Sequence, residues 1–418
     1  MPTLRQAIDT MGKRGIVRTQ SDTSLAQTVA DLQKKYLMSD PTLPVKARVT
    51  PAAGLNDVLD ARPITVMLEL ARGTALNVSD AVASFGRRWS ALKYLGLFEN
   101  NTPAGTLILS PSALAEVGAN QRRVISEELG IGFAAHAAKH WCQTRFPGVG
   151  AISIIDVDRT LLNGSMPKLQ RNGRRQPDYL LAFDDPTSPG SRRFEVLEAK
   201  GTVSTATAKS QLGRAVTQLA GLTVNRQTMT GLAVSTVSTE NGITLLAVDP
   251  EEFPVSWTPN KSGTDHWRGD LPNWSGEEPV VDFTPEELAA KATNVDYASL
   301  AEFAGLSSAT DDWLTRFSEG RHSEVMAETK AGPGGTSFIG QEFVFQVGSE
   351  VVRMFQGVES DVADGLRSVD PIAVLQAQRK GRPSHVDVED ALKSGSGRDV
   401  ASAVATSSDG AVLQLTVG

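Results

Sequence analysis

A single cysteine, Cys142, in 418 residues excludes an internal disulfide framework and fits a reducing cytoplasm. No apolar run approaches the roughly 20 residues needed to cross a bilayer, so no membrane association is expected. The opening MPTLRQAIDTMGKRG lacks the apolar stretch of a secretory signal, which again points to a cytoplasmic location. Aromatics are sparse at 6%, and Trp257, Trp267, Trp274 and Trp313 are scattered, which favours core anchors over a stacking platform for bases. An excess of positive charge is missing too. With 41 Lys and Arg against 48 Asp and Glu the net charge is −7, so any polyanion must be met by a local basic surface.

Several catalytic signatures are also absent. There is no GxSxG elbow and no Cys-His arrangement, and the Gly-rich KAGPGGTS (330–337) has no lysine where a phosphate-binding loop needs one. His136 and His140 have a zinc-like spacing, but Ala137 stands where HExxH has glutamate and no third ligand is apparent. The expectation is one exposed histidine and one packed near Trp141. AISIIDVDRTLLNG (151–164) resembles the first motif of haloacid dehalogenase-like phosphatases, with Asp156 as nucleophile and Asp158 as general acid. Arg159 replaces the usual glycine there, and no later paired-Asp motif follows. The plainer expectation is the first strand of a sheet, followed by a turn.

What is present is concentrated in residues 174–202, RRQPDYLLAFDDPTSPGSRRFEVLEAKGT. YLLAF reads as a buried strand and RRFEVLEAK as a strand of mixed face. DDPTSPGS between them carries turn-forming residues. A hairpin folded about Ser188 sets Asp178 opposite Glu198, close enough for both carboxylates to hold one cation. Period-two alternation puts Glu198 and Lys200 on the same face of their strand.

Pro177-Asp178 and Glu198-Ala199-Lys200 resemble the PD-(D/E)XK nuclease superfamily, over roughly residues 117–250. The resemblance implies an α/β, restriction-endonuclease-like core, a central mixed sheet flanked by helices, and metal-dependent cleavage of phosphodiesters. On it, Asp178, Glu198 and the Ala199 carbonyl hold Mg²⁺, with Mn²⁺ as the substitute, and Lys200 orients or deprotonates the attacking water. Many members carry a further acid on the helix before the first strand. VISEELGIGFAAHAAKHW (124–141) reads as that helix and offers Glu127 or Glu128. Gln211, on a helix read over 204–222, resembles the glutamine some branches carry after the ExK residues, although Ala215 stands where a tyrosine is expected. GLAVSTV (231–237) and ITLLAVD (243–249) read as strands, giving the order helix, strand, hairpin, helix, strand, strand that the family core needs.

Lys168, Arg171, Arg174 and Arg175 run into Pro177-Asp178, and Arg192 and Arg193 lie on the other arm of the hairpin, a local basic approach for double-stranded DNA. Residues 51–116 resemble a winged-helix domain, a strand pair in LGLFENNTPAGTLILS forming the wing and Ser110-Pro111 starting the closing helix. Arg87, Arg88, Trp89, Ser90 and Lys93 then belong to or border the helix that enters the major groove, although such domains also serve as protein–protein connectors. Residues 1–50 are read as a helical extension (helix 21–37) and linker, 117–255 as the nuclease core, and 256–418 as a region of unassigned role with a second basic cluster at 376–385. The expectation is therefore a Mg²⁺-dependent endodeoxyribonuclease of restriction or anti-phage defence. A homodimer and a defence-system partner protein are its expected assemblies. The alternative from another class is a non-catalytic DNA-binding protein that uses the core as a scaffold.

Overall fold

The computed structural model describes residues 2–39, 48–74, 86, 90, 92–100, 105–162, 176–186, 191–224, 227–251, 255–257, 281–314, 328–331, 336–380, 392 and 400–418. In its N-terminal part the elements are α1 (Leu4–Gly12), β1 (Gly15–Gln20), α2 (Thr23–Ser39), β2 (Arg48–Thr50), β3 (Val58–Ala61), α3 (Pro63–Gly73), β4 (Phe98–Glu99), β5 (Ile108–Leu109) and α4 (Pro111–Ala115). The middle part holds α5 (Ala119–Arg145), β6 (Ile152–Asp156), α6 (Val157–Leu162), β7 (Tyr179–Asp184), β8 (Arg192–Thr202), α7 (Thr205–Leu219), β9 (Leu222–Val224), β10 (Gln227–Thr228), β11 (Gly231–Thr239), β12 (Gly242–Glu251) and β13 (Val255–Trp257). After these come β14 (Val281–Phe283), α8 (Pro285–Phe303), α9 (Ser307–Trp313), β15 (Glu328–Ala331), β16 (Ser337–Val347), β17 (Glu350–Glu359), α10 (Ser360–Arg367), α11 (Pro371–Arg379), β18 (Ala401–Thr406) and β19 (Ala411–Val417).

The main sheet is mixed and curled, with strand order β3-β1-β12-β11-β8-β7-β6, β13 pairing with β8 and β2 with β12. β8 and β11 run parallel, joined by the crossover helix α7, and the neighbours on either side, β7 and β12, are antiparallel to them. The central strands are near-continuous apolar and β-branched runs because both faces are covered: GLAVSTV in β11 is buried throughout. Across β7 and β8, Tyr179 lies opposite Leu197 and Asp184 opposite Arg192, which is the register of a hairpin centred on position 188. The strands β1, β2 and β3 extend this same sheet, so residues on both sides of positions 50 and 116 contribute to one body.

Helices lie on both faces. On one, α3 packs with α5, and α5 packs on β8 and β11. The Tyr179 hydroxyl donates to the Gly73 carbonyl at 3.1 Å on this side. The approach of α5 to β8 is close enough that a Cβ on Gly201 would lie 1.7 Å from the Ser126 carbonyl oxygen, and one on Gly130 would lie 2.8 Å from Gly201 Cα. On the other face α7 packs on the sheet with α2 outside it, and the Tyr36 and Ser210 hydroxyls meet at 2.9 Å.

The C-terminal region forms a second, antiparallel sheet, β15-β16-β17-β19-β18, against which α1 and α3 pack. QEFVFQVGSEVVRMF and AVLQLTVG form strands in it. Residues 285–303 form the single helix α8, which Thr284 and Glu287 start with a capping box. One hydrophobic core runs through all of this, from Ile8 and Leu129 through Val234 to Leu413 and Val417.

Candidate active site

β7 begins at Tyr179 while β8 continues to Thr202, so among the described residues the side of β8 beyond Glu198 has no β7 partner. Asp178 sits at this opening. Its backbone N–H donates to Glu198 Oε2 at 2.9 Å, and its Oδ2 accepts the Ala199 N–H at 3.1 Å. Lys200 Nζ touches Glu198 Oε1 and lies 3.7 Å from Asp178 Oδ2. The hairpin register and the period of two thus bring Asp178, Glu198 and Lys200 into one cluster, as predicted. The N–H and C=O of one residue in a strand point to the same neighbour. The Ala199 carbonyl therefore faces the same opening as its amide.

The cluster holds two carboxylates and one ammonium, and its members differ in exposure. The Glu198 side chain is 0% exposed, that of Lys200 25% and that of Asp178 36%. Burial, and then the Asp178 carboxylate beside it, push the Glu198 carboxyl well above its ordinary value. For Lys200, burial alone would lower the ammonium, but Glu198 and Asp178 outweigh it and hold it above its usual value. Fully ionised, the group is one positive charge short. Hard oxygens, partial exposure and that deficit suit a divalent cation that keeps several waters. Among the described residues, no cluster of three or more His, Cys, Asp or Glu could hold a metal, so a cation here would draw its protein ligands from Asp178, Glu198 and the backbone.

The two acids on α5 have different surroundings. Glu128 accepts from Lys93 Nζ at 2.6 Å and from the Tyr94 hydroxyl at 2.7 Å. Glu127 is exposed, pairs loosely with Arg123 at 3.8 Å, and lines a cavity of about 300 Å³ together with Gly201 and Gln211. Gln211 donates to the Gly201 carbonyl at 3.4 Å and accepts from Ser235 Oγ at 3.0 Å; Ser235 is the β11 register partner of Lys200.

The basic residues expected to contact DNA need correction. Arg192 is 2% exposed and bonds Asp296 at 2.8 Å, with Tyr297 and Phe194 against its guanidinium. Arg193 is 8% exposed, bonds Glu195 at 2.8 Å and stacks on Phe146. Two arginines in succession on a strand point to opposite faces, and each finds a carboxylate inside. Lys93 is likewise committed to Glu128 and 21% exposed. In the second basic cluster, Arg379 and Lys380 pair with Asp184 and Asp361, each at 2.6 Å. Lys168, Arg171, Arg174, Arg175, Arg87, Arg88 and Trp89 lie outside the described residues.

The competing residues also have places. Asp156 ends β6 and caps α6 by accepting the Arg159 N–H at 2.9 Å, while Arg159 is buried against Glu302 at 2.7 Å and Ser299 at 2.9 Å. A short helix, not a turn, follows this strand. His136 bonds the Asp60 carbonyl at 2.8 Å. Sequence reasoning missed the pair Arg122 and Arg123, because the helix read from 124 in fact begins at Ala119. It also missed why Gly201 follows Lys200: only a residue without a side chain lets α5 approach there. Comparison with known proteins finds no matching family model, no matching curated protein and no matching solved structure.

Proposed function

We propose that the chain is a metal-dependent deoxyribonuclease with a restriction-endonuclease-like core. The observation that carries this reading is the cluster of Asp178, Glu198 and Lys200 at the point where β7 starts and, among the described residues, β8 has no β7 partner beyond it. The succession α5, β6, the β7–β8 hairpin, α7, β11, β12 supports it, being the order such a core needs. Asp178, Glu198 and the Ala199 carbonyl would hold Mg²⁺ or Mn²⁺. When bound there, the cation polarises the scissile phosphate and makes a water acidic enough to attack near neutral pH. Lys200 keeps its proton, orients that water and neutralises charge developing on the phosphoryl group. Of the two acids on α5, Glu127 is the one assigned to this site, since it lines the cavity with Gly201 while Glu128 is engaged by Lys93 and Tyr94. Gln211, fixed by Gly201 and Ser235, props the strand end that carries Lys200.

A winged-helix role for residues 51–116 draws on α3, the β4–β5 pair and α4, which Ser110 caps and Pro111 opens. Defence against foreign DNA, with a second copy for the second strand and a defence-system partner, is the setting this activity suits. The test is incubation of the purified protein with plasmid DNA and Mg²⁺, repeated for Asp178→Ala and Lys200→Ala. We expect cutting by the unmodified chain and by neither variant. Cutting that survives both substitutions overturns the site assignment. Salt-sensitive DNA binding without any cutting favours the scaffold alternative.

A further inference from the structure

We propose that the cavity beside Gly201 seats a backbone phosphate of the DNA, adjacent to the phosphate that is cut, and that Arg123 is its principal ligand. This rests on the nuclease reading and extends it. The cavity, of about 300 Å³, lies against Gly201–Val203, the residues that follow Lys200 at the end of β8. Its wall includes Arg122, Arg123, Ser126, Glu127, Thr207 and Gln211.

The lining selects an anion. Two arginines and one glutamate are among its lining residues, and the Arg123–Glu127 pair is long at 3.8 Å with side chains 73% and 60% exposed, so it yields easily to a better partner. Arginine matches phosphate oxygens two at a time, which an exposed pair with glutamate does not rival. Arg122 is less free, since it bonds the Leu114 carbonyl at 2.8 Å and the Val117 carbonyl at 3.0 Å. It therefore builds the wall, and Arg123 is the group able to swing to a ligand. The first turn of α5 adds to the field: Ala119 lines the cavity, and its cap residue Gly118 supplies no side-chain bond to the first amides of a 27-residue helix. A base edge is the poorer occupant, because the Gln211 amide that could read it already bonds Gly201 and Ser235.

The test measures binding of a short DNA duplex over a series of salt concentrations with a chelator present, for the unmodified chain, Arg123→Gln and Arg123→Lys. For Arg123→Gln, affinity falls and the slope of log K against log salt decreases by about 1, the loss of one phosphate contact. Arg123→Lys restores the slope, because the charge returns. Plasmid cleavage by the unmodified chain, with the same slope and affinity in Arg123→Gln, overturns this inference and leaves the nuclease reading standing. An unmodified chain that neither cuts plasmid nor binds DNA in a salt-dependent way overturns both.

Discussion

Two charged clusters in this chain use similar side chains to opposite ends. At the seam between the core and the C-terminal sheet, Arg72 meets Asp409 at 2.5 Å, while Lys139 bonds Glu69 at 2.6 Å and Ser407 at 2.8 Å. There, two cations face two carboxylates, and the Arg72 and Asp409 side chains are 5% and 0% exposed. At the β7–β8 opening, two carboxylates share one ammonium, and two of the three side chains reach solvent. The contrast is in their response to burial. Although burial alone would raise it, Asp409 is driven down to about 2, mainly by Arg72 and then by Lys139. Burial and Asp178 drive Glu198 up instead, Lys200 notwithstanding. The first cluster is electrically complete and ties α3 and α5 to the turn between β18 and β19. The second is short of positive charge, which is the condition for taking up a cation.

The largest expected effect breaks the complete cluster. Arg72→Ala strands Asp409 and costs about 3–5 kcal/mol of stability, as removal of one partner from a buried pair generally does. Denaturant titration measures it, and a loss below about 1 kcal/mol would show that water replaces the guanidinium. Arg192→Ala strands Asp296 in the same way and belongs to the same class. It should leave the salt dependence of DNA binding untouched, in contrast to what its place beside the hairpin turn first implied. Next comes the open cluster. Lys200→Ala lowers the cleavage rate about 10²–10³-fold, the scale for losing one charge-stabilising donor. It moves the melting temperature little, because the site is partly solvated. A variant that melts far below the original would place Lys200 with the structural cations instead.

A smaller effect separates the clusters by acid. Asp409 has a depressed pKa in the folded chain, so its contribution is full above the ordinary 3.8 and disappears as pH falls towards about 2. Linkage makes that about 2 kcal/mol. In Asp409→Asn the difference from the original chain should be largest at neutral pH and shrink through this window, which chemical denaturation at several pH values would reveal. A difference that stays constant down to pH 2 would remove Asp409 from the account.

How much of this could be read in the sequence follows from the range of the forces involved. The β7–β8 register was legible because a hairpin is local, and period-two alternation then fixes which side chains share a face. Asp178, Glu198 and Lys200 were legible for that reason. Arg192 and Arg193 were misread because their partners differ in kind: Glu195 is two residues away, but Asp296 lies on α8, a hundred residues on. Nothing local announces a buried long-range pair. The seam with the C-terminal sheet was hidden likewise, since Arg72 and Asp409 are joined only by the packing of α3 on β18 and β19. The divisions read at 50 and 116 follow loops in sequence, whereas β1 and β3 reach the sheet through pairing with β12 and with each other. Gly201 was visible as a letter but not as a contact, because its reason is the Ser126 carbonyl of a helix that begins eighty residues earlier.

The finest distinction between the clusters lies in Glu198 itself. Its folded pKa is raised, so the folded chain holds more protons there than the unfolded chain once pH exceeds the ordinary 4.5. Stability from this group is therefore present at and below that value and is lost as pH rises towards the raised one. Glu198→Gln removes the titration, so the variant should gain on the original chain between pH 4.5 and neutrality and match it more closely in acid. The gain is the smallest of these effects because the substitution also deprives Lys200 of its nearest carboxylate. Mg²⁺ gives the decisive arm. A cation held by Asp178 and Glu198 needs both ionised, so its stabilisation of the original chain must grow with pH and vanish in Glu198→Gln. Mg²⁺ that stabilises both proteins equally at every pH would mean that the charge deficit at this opening is not what draws a cation, and the contrast with the Asp409 cluster would lose its functional meaning.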